Sequence, residues 1–418
     1  MPELRTDVLV VGAGPAGSAA AAWCARQGMD VVLADQAVFP RDKACGDGLT
    51  PRAISELNRL GMADFLSGCA RNDGLRAAGF GKTLLLRWPG GHWPDHGGAS
   101  PRRRLDNAVR DIALTAGATP LEGARALDAQ VESGRVTSVH FRKADDVTTV
   151  HADRIIIADG AKSSLGRVLG RQWYRDTVYG VASRAYIESE RHDDPWISSH
   201  LELRDDEGTL LSGYGWVFPL ADGGVNIGVG TLATEKRPAD INLRSLLATY
   251  TAARRDDWKL RGELRDFASS PLPMGGAVSG IAGVNWVMIG DAAACVNPLN
   301  GEGIDYGLET GRLAAELFAD SASQVRSNFT TSWPEILNHH YGQAFSIARR
   351  LGNLLTVPGF LTAAGPLGMR STPLMRLALR WMGNLVDESD HDTAARLWRA
   401  AGRASLRLDN RRPFGIAA

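Results

Sequence analysis

The first 35 residues combine an apolar run, a turn of small residues and a stretch of helical composition. Asp7–Val11 carries the β-branched residues typical of a buried parallel strand. The small residues from Ser18 to Gly28 predict a helix, and Asp30–Ala34 predicts a second strand. Strand, helix and strand in this order predict a βαβ unit within a parallel sheet.

A glycine-rich turn joins the first strand to the helix and has the spacing of a dinucleotide-binding site. Gly12 permits the tight turn, Gly14 lets the backbone approach a pyrophosphate, and Gly17 allows the helix to pack close to the strand. The positive end of the helix dipole then faces the phosphates. Asp35 ends the second strand, where its carboxylate would accept hydrogen bonds from a ribose diol. The predicted dinucleotide contacts are Gly12, Gly14, Ala16, Gly17 and Asp35.

Two later segments indicate which dinucleotide binds. Asp159-Gly160 follows one apolar strand, and Gly290-Asp291 follows another. Together with the glycine turn, these segments resemble the flavoprotein hydroxylase superfamily, whose cofactor is FAD. The resemblance implies that Asp159 and Gly160 lie near the flavin cofactor. It also implies that Asp291 hydrogen-bonds the ribityl chain.

The same resemblance implies cofactor contacts outside these strands. The loop from Pro298 to Gly303, with Gly301 inside it, precedes a helical pattern. It would bring a helix N-terminus to the pyrimidine edge of the flavin, where a reduced flavin carries negative charge. Arg102 matches the superfamily arginine that contacts the cofactor. It is also the first of three adjacent arginines, a pattern that is common in solvated surface turns.

Composition and charge narrow the function classes. The 418 residues suffice for two joined domains, each with its own core. Lys plus Arg and Asp plus Glu both number 47, so no basic surplus favours a nucleic-acid partner. The four cysteines lie far apart, which matches neither a zinc site nor a secreted disulfide scaffold. We therefore expect no nucleic acid, no metal and a cytoplasmic location.

Two further segments point to the reaction. One runs from Phe39 to Pro51 and contains Lys43-Ala44-Cys45-Gly46-Asp47, and the other runs from Gly213 to Pro219. Together they resemble the geranylgeranyl reductase family, flavoenzymes that saturate double bonds in isoprenoid chains. The resemblance covers almost the entire chain and is greatest to members that hydrogenate one isoprene unit in the side chain of menaquinone. It implies an FAD-dependent oxidoreductase whose substrate is a prenylated quinone or another isoprenoid.

The turn around Cys45 contains a candidate proton donor. An isolated trisubstituted alkene needs a hydride at one carbon and a proton at the other, and reduced flavin supplies the hydride. A thiol with an ordinary pKa of about 8.5 is mostly protonated at neutral pH. We therefore predict Cys45, Gly46 and Asp47 as catalytic residues, with Gly46 allowing the flavin to approach, and Lys43 as a cofactor contact. Asp47 either relays a proton or caps the turn.

The second motif predicts an aromatic surface. In an extended strand alternate side chains share a face, so Tyr214, Trp216 and Phe218 would lie together, with Gly213 and Gly215 leaving the other face open. Such a face suits a flat quinone or a methyl-studded chain, although an ordinary core stripe has the same pattern. Flanking strands predict an antiparallel sheet above the flavin. These strands are Tyr179–Ile187, Ile197–Leu203 and Gly224–Gly230.

Three other functions are compatible with these motifs. The resemblance also admits a reductase of geranylgeranyl diphosphate or of a geranylgeranyl lipid. An FAD-dependent monooxygenase shares every nucleotide-binding segment, because those segments establish the cofactor and not the reaction. A non-catalytic flavoprotein that binds prenylated molecules would use the same scaffold. The sequence has no second glycine motif for a nicotinamide, so the electron donor is not identified.

The order of the motifs predicts an α/β fold in an α+β two-domain arrangement. It joins a Rossmann-like FAD-binding domain of the flavoprotein hydroxylase type to an antiparallel-sheet substrate domain and a C-terminal helical segment. The predicted FAD-binding domain is discontinuous and comprises residues 1–80, 101–175 and 271–330. The predicted substrate domain comprises residues 81–100 and 176–270, and the helical region comprises residues 331–418.

The helical region contains an apolar stretch suited to a lipid contact. Leu354–Leu367 is too short to span a membrane and is interrupted by prolines and glycines. Cations flank it at Arg349, Arg350, Arg370, Arg376 and Arg380. Apolar stretches with flanking cations lie in a membrane interface without crossing it. Helices that pack on the protein's own core have the same pattern. We predict that the region roofs a hydrophobic tunnel and docks peripherally on the inner face of the cytoplasmic membrane.

Overall fold

The computed structural model describes residues 3–321 and 328–415. Within them the chain builds two large sheets and ends in helices. The strands are β1 Glu3–Val11, β2 Val31–Asp35, β3 Gly48–Leu49, β4 Ala70–Asn72, β5 Gly74–Gly79, β6 Lys82–Arg87, β7 Gly97–Ala99, β8 Thr119–Glu122, β9 Ala124–Glu132, β10 Arg135–Lys143, β11 Asp146–Ile157, β12 Gln172–Trp173, β13 Tyr179–Ser189, β14 Trp196–His200, β15 Gly213–Pro219, β16 Gly224–Ala233, β17 Leu260–Leu272, β18 Val278–Ser279 and β19 Trp286–Met288. The α-helices are α1 Pro15–Arg26, α2 Pro51–Arg59, α3 Ala63–Ser67, α4 Arg102–Thr115, α5 Ser164–Val168, α6 Leu243–Arg254, α7 Ile304–Asp320, α8 Phe329–Leu337, α9 Gln343–Leu355, α10 Phe360–Met369, α11 Thr372–Met382 and α12 Thr393–Arg407.

The first large sheet contains the predicted βαβ unit. Its strand order is β8-β2-β1-β11-β10-β9, and β19 pairs with the second half of β11. The pairs β8-β2, β2-β1, β1-β11 and β11-β19 are parallel. Val11 lies beside Ile157, and Ile157 lies beside Met288. The carboxyl ends of β1, β11 and β19 therefore meet at one edge of the sheet, where a parallel sheet places its ligand sites.

Small residues allow α1 to pack tightly between the sheet and α7. Four consecutive alanines of α1, from Ala19 to Ala22, are fully or almost fully buried. A Cβ on Gly311 of α7 would lie 2.6 Å from the carbonyl oxygen of Ala16, so α7 has no room for a side chain there. This close packing holds the N-terminus of α1 against the edge where the parallel strands end.

The second large sheet is almost entirely antiparallel. Its order is β17-β13-β16-β15-β14-β5-β6, and only β14 and β5 pair in parallel within the described residues. Helix α6 covers one face, where Leu246, Leu247 and Tyr250 pack with Ile187 and Val217. The opposite face of this second sheet is therefore the one that faces the first sheet.

One predicted domain boundary falls inside a hairpin. Strands β5 and β6 lie on either side of residue 80, and both pair within the second sheet. Strand pairing therefore groups residues 74–87 with the substrate sheet, whereas the sequence placed the first seven of them with the FAD-binding region. The division of the chain into three regions stays a prediction.

The C-terminal helices pack over the second sheet beside the β5-β6 hairpin. Met369, Met375 and Leu379 from α10 and α11 contact Phe80 and Leu86 of the hairpin region. None of the helices within residues 3–321 and 328–415 is both long and apolar enough to cross a membrane. Because α10 and α11 pack on the β5-β6 hairpin, the C-terminal helices cover one end of the second sheet.

Candidate active site

One cavity of about 670 Å³ connects the two sheets and the C-terminal helices. Most of the residues predicted from the sequence line it. These residues are Gly14, Ala16, Lys43, Cys45, Gly46, Asp47, Arg102, Gly160, Tyr214, Trp216, Phe218, Asp291, Gly301 and Gly303. The cavity therefore brings together segments that lie far apart in the chain.

Five predicted residues lie outside the cavity lining. They are Gly12, Gly17, Asp35, Asp159 and Pro298. Asp35 accepts hydrogen bonds from the backbone N–H groups of Ala13 (2.7 Å) and Ala37 (2.8 Å). Its carboxylate thus holds the glycine turn against the end of β2.

The glycine turn leaves no space for side chains on its inner side. Gly12 has φ +107°, and a Cβ there would lie 2.3 Å from the carbonyl oxygen of Ala158. A Cβ on Gly17 would lie 1.8 Å from the carbonyl oxygen of Gly12. Gly14 differs, because a Cβ there would meet only the flexible end of Arg41 at 3.2 Å. The turn is therefore closed towards the sheet and open towards the cavity.

Asp291 lies at the end of β19 with an ion partner from a distant segment. Its Oδ2 is 2.9 Å from Nζ of Lys43. Burial by itself would raise the pKa of the Asp291 carboxyl, but Lys43, Arg102 and Arg171 outweigh burial and hold that pKa below its ordinary value. Asp291 is therefore ionised and faces the cavity.

Asp159 has one oxygen that lacks a partner. Its Oδ2 accepts the N–H of Leu165 at 3.0 Å. Its Oδ1 is buried and has no hydrogen-bond partner among the described residues. A buried polar atom without a partner is costly, so this oxygen marks a place where a ligand donor would be stabilising.

Arg102 is buried rather than solvated. It starts α4, is only 3% exposed and forms a bidentate pair with Asp106, at 2.6 and 2.8 Å. Arg102 also lies beside Cys45. Burial raises the pKa of the Cys45 thiol above its ordinary value, and Arg102 offsets only part of this increase. The arginine triplet is therefore not a solvated turn at its first position.

Asp47 is the most constrained residue of the cysteine segment. It is fully buried and has φ +64°, a left-handed conformation that is uncommon for aspartate. Its Oδ2 accepts hydrogen bonds from the hydroxyl of Tyr186 (2.7 Å) and from Nδ2 of Asn226 (2.9 Å). Burial raises the pKa of Asp47 to about 6, although these two bonds and the nearby Arg184 and Arg102 act in the opposite direction.

Asn226 joins this carboxylate to the aromatic face. Its Oδ1 accepts from Nε1 of Trp216 at 2.8 Å, and its Nδ2 also donates to the carbonyl oxygen of Cys45 at 2.8 Å. The ring centroids of Tyr214 and Trp216 are 6.0 Å apart, and those of Trp216 and Phe218 are 6.3 Å apart. The three rings share one face of β15, as the alternation predicted.

The glycines near these rings have a different role from the expected one. Cβ atoms on Gly46 and Gly48 would lie 3.2 and 3.0 Å from the Phe218 ring, so these glycines let the turn approach the aromatic face. Gly215 does not open the second face of the strand. A Cβ there would lie 2.3 Å from the ring of Tyr250, because α6 already covers that face.

Three residues of the site were not anticipated. Tyr186 and Asn226 are in strands that the sequence predicted correctly. Asn226 could have been identified from the sequence, because it is a polar residue between the apolar Val225 and Ile227. Glu302 lines the cavity and accepts a hydrogen bond from Thr50 Oγ1. Burial and the neighbouring Asp305 raise the pKa of Glu302 well above its ordinary value.

The residues present fit an FAD cofactor. The turn at Gly14 opens to the cavity, Gly160 lines the cavity just after the end of β11, and Asp291 presents an ionised carboxylate. Helix α7 begins at Ile304 after Gly303, so its N-terminus also faces this space. The described part of the chain holds no cluster of His, Cys, Asp or Glu side chains suited to a metal ion.

Comparisons with known proteins agree with this geometry. Residues 5–322 match the family described as FAD binding domain. The menaquinone reductase of Mycolicibacterium smegmatis is 58% identical over 411 residues, which cover 98% of this chain and 99% of that relative. Digeranylgeranylglycerophospholipid reductase 1 of Methanopyrus kandleri is 30% identical over 367 residues, covering 84% of this chain and 91% of that relative.

A solved structure supports the fold. A geranylgeranyl bacteriochlorophyll reductase-like protein from Thermoplasma acidophilum is similar with a TM-score of 0.77 at 20% identity, covering 96% of this chain and 100% of that one. The fold and the cavity thus define a flavoprotein, and the predictions of the fold class and of FAD are confirmed. The chain belongs to the family with this FAD binding domain and, within it, to the menaquinone reductases. It is an FAD-dependent oxidoreductase.

Proposed function

We propose that this protein hydrogenates a C=C bond in the isoprenoid side chain of menaquinone. The relative with the highest identity given above has that quinone in its name, and the more distant one is named as a reductase of a digeranylgeranyl phospholipid. The observation that carries the proposal is the continuous cavity, which runs from the flavin-binding edge of the first sheet to an apolar space under the C-terminal helices.

The proposed cofactor contacts follow the sheet edge. The backbone from Gly12 to Gly17, with the N-terminus of α1, would hold the pyrophosphate, and Asp35 would lie near the adenosine ribose. Asp291 would accept a hydrogen bond from the ribityl chain. The loop from Pro298 to Gly303 would direct the N-terminus of α7 to the flavin ring. Arg102, Lys43, Asp159 and Gly160 would complete this set.

The proposed substrate contacts are apolar. Tyr214, Trp216 and Phe218 form the wall that would contact the quinone or its methyl groups. Residues of α10 and α11, including Met375 and Leu379, line the far part of the cavity. An isoprenoid chain would bury its apolar surface there, which is the main driving force for binding such a molecule.

The chain's own residues would prepare the alkene for reduction. Reduced FAD supplies the hydride when it is bound. A bound isoprenoid would displace water from the apolar part of the cavity, so the proton for the other alkene carbon would come from a positioned side chain. The turn from Cys45 to Asp47 lines the cavity next to the aromatic face and contains two groups that can donate a proton, the Cys45 thiol and the Asp47 carboxyl.

The function is tested by the product. The FAD-loaded protein would be reduced with dithionite under anaerobic conditions and incubated with menaquinone or, separately, with geranylgeranyl diphosphate. Mass spectrometry should show that menaquinone gains two hydrogens and that the diphosphate gains fewer or none. Oxygen consumption stimulated by an aromatic substrate, with no hydrogenated prenyl product, would instead indicate a monooxygenase.

We also propose that the C-terminal helices dock on an anionic membrane surface. Leu351, Leu354 and Leu374 line the cavity and are 39%, 41% and 49% exposed, so the cavity opens where these apolar side chains reach the surface. Arg376, on α11 with Leu374, and Arg370, which follows α10, are also exposed. Apolar side chains beside cations match the lipid interface from which a long-chain quinone is collected.

A matched pair of variants tests the docking surface. Leu374→Glu should lower binding to vesicles rich in phosphatidylglycerol about tenfold, because it places a charge among anionic lipids. Val131→Glu changes a side chain with the same 49% exposure in β9 and should leave binding unchanged. Equal losses in both variants, or no vesicle binding by the unaltered protein, would refute the docking surface.

A further inference from the structure

Asp47 is a buried carboxyl whose role the sequence left open. It lines the cavity, and its neighbours in sequence, Cys45 and Gly46, contact the cavity too. We propose that Asp47, and not the Cys45 thiol, donates the proton that the alkene receives, and that the Tyr186 hydroxyl returns a proton to it. This assignment rests on the proposed function and names the acid of that reaction.

The hydrogen bonds of Asp47 leave one oxygen free for a proton. Oδ2 already accepts from two donors, the Tyr186 hydroxyl and Asn226 Nδ2. Oδ1 is buried and has no hydrogen-bond partner among the residues that the structure describes. A carboxylate oxygen without a donor in a dry site is costly, whereas a protonated oxygen is not. The arrangement therefore favours a neutral acid with its proton on Oδ1.

The charged groups around Asp47 keep its acidity in a useful range. Arg184 and Arg102 lower the pKa of Asp47, and so do the bonds from Tyr186 and Asn226, but burial is the largest effect and raises that pKa to about 6. An acid with a pKa near the working pH is the most effective proton donor. The thiol of Cys45 is less suited, because burial outweighs the opposing effect of Arg102 and raises its pKa above the ordinary value.

Asn226 links the acid to the substrate wall. Its amide bonds to Trp216 Nε1, to the Cys45 carbonyl and to Asp47 Oδ2, so none of its amide groups is free to move independently. Asn226 and Trp216 are therefore positioning residues. They fix the carboxyl relative to the face on which the isoprenoid would lie.

When it is bound in its reduced form, the cofactor would supply the hydride for one C–H bond at the alkene. The O–H bond of Asp47 breaks, its proton forms the second C–H bond, and the carboxylate remains. Burial and the Asp47 charge raise the pKa of Tyr186 well above its ordinary value, so a free tyrosinate is unfavourable. The half-buried Tyr186 hydroxyl would therefore pass its proton to Asp47 only as it takes another from water, which restores the neutral acid. No further oxidant or reductant is needed.

The pH profile of single variants tests the assignment. Turnover of the unaltered protein should fall above about pH 6, as Asp47 loses its proton. Asp47→Asn should lower kcat roughly 100-fold or more while FAD stays bound. Tyr186→Phe removes a bond that lowers the pKa of Asp47, so it should lower kcat about tenfold and move the alkaline limb to higher pH. Cys45→Ser should lower kcat less than Asp47→Asn and leave that limb in place.

A second measurement does not depend on turnover. The oxidised protein should show an infrared band of a protonated carboxyl that titrates near pH 6 and is missing in Asp47→Asn. Near-normal kcat in Asp47→Asn, or loss of the alkaline limb in Cys45→Ser, would overturn the assignment. If the unaltered protein hydrogenates no isoprenoid, the proposed function fails, whereas the infrared band still shows whether Asp47 holds a proton.

Discussion

The chain contains two glycine-rich turns that face the same cavity and work in different ways. In the first turn, residues 12–17, Gly12 and Gly17 are close to backbone atoms, with a Cβ on Gly17 only 1.8 Å from a carbonyl oxygen. In the second turn, residues 45–48, the glycines are close to the ring of Phe218. Backbone cannot move aside, but a ring can. We therefore expect a substitution at Gly12 or Gly17 to disrupt the folded structure of the first turn. A substitution at Gly46 or Gly48 should have a smaller effect, because the Phe218 ring can shift.

Gly17→Ala should give the largest effect. Its Cβ would overlap the Gly12 carbonyl, so α1 would have to move away from β1. We expect loss of bound FAD and of most soluble folded protein, measured by flavin absorbance after purification. Gly14→Ala is the matched control, because its Cβ meets only the flexible end of Arg41. It should fold and bind FAD more weakly. Normal FAD content in Gly17→Ala would contradict the difference between the turns.

Asp47→Asn should give the next largest effect, seen as a change of stability with pH. The folded-state pKa of Asp47 is raised to about 6 from an ordinary 3.8. A raised carboxyl pKa adds stability below pH 4, and this contribution is lost as the pH rises through 6. The free energy of unfolding of the unaltered protein, relative to that of Asp47→Asn, should therefore fall by about 2 kcal/mol between pH 4 and 7. Urea titrations at both pH values measure it, and a constant difference would refute it.

Gly48→Ala should have a smaller effect confined to catalysis. The new methyl group would press on Phe218 at 3.0 Å, and the ring would shift by a few tenths of an ångström. We expect normal FAD content and a fall in kcat/KM for the prenylated quinone of about tenfold or less. A loss of FAD equal to that of Gly17→Ala would show that the two turns do not differ.

Trp216→Phe should have the smallest effect. It keeps the aromatic face but removes the donor to Asn226 Oδ1. The lost hydrogen bond should cost about 1 kcal/mol of unfolding free energy. The two remaining bonds of Asn226 should keep the second turn in place, so FAD content should not change. A cost above about 3 kcal/mol would show that this one bond holds the whole turn.

Local patterns predicted the first turn well and the second turn only in part. The βαβ unit, the strands ending before Asp159 and Asp291, and the aromatic alternation depend on neighbours in sequence, and these appear in the structure. Contacts between distant segments, such as Tyr186 with Asp47 or Thr50 with Glu302, have no local periodicity. They follow from how two sheets face each other, which no short motif encodes.

Arg102 and Gly46 illustrate the same limit. The sequence placed Arg102 in an arginine triplet and could not distinguish a solvated turn from a buried ion pair, because Asp106 becomes its partner only when α4 packs. It assigned Gly46 to close approach of the flavin but did not indicate that a Cβ there would lie 3.2 Å from Phe218 and 3.3 Å from Trp216. In both cases the residue type indicated a role, but the sequence did not show which other residues it would contact.

Within the described residues, one cavity extends from the sheet edge where β1, β11 and β19 end to the C-terminal helices. Two ligands that share one space influence each other's equilibrium, and thermodynamic linkage makes this influence reciprocal. Whatever factor a bound quinone adds to the affinity for FAD, bound FAD must add to the affinity for the quinone. Cofactor retention in this protein is therefore expected to depend on the supply of lipid.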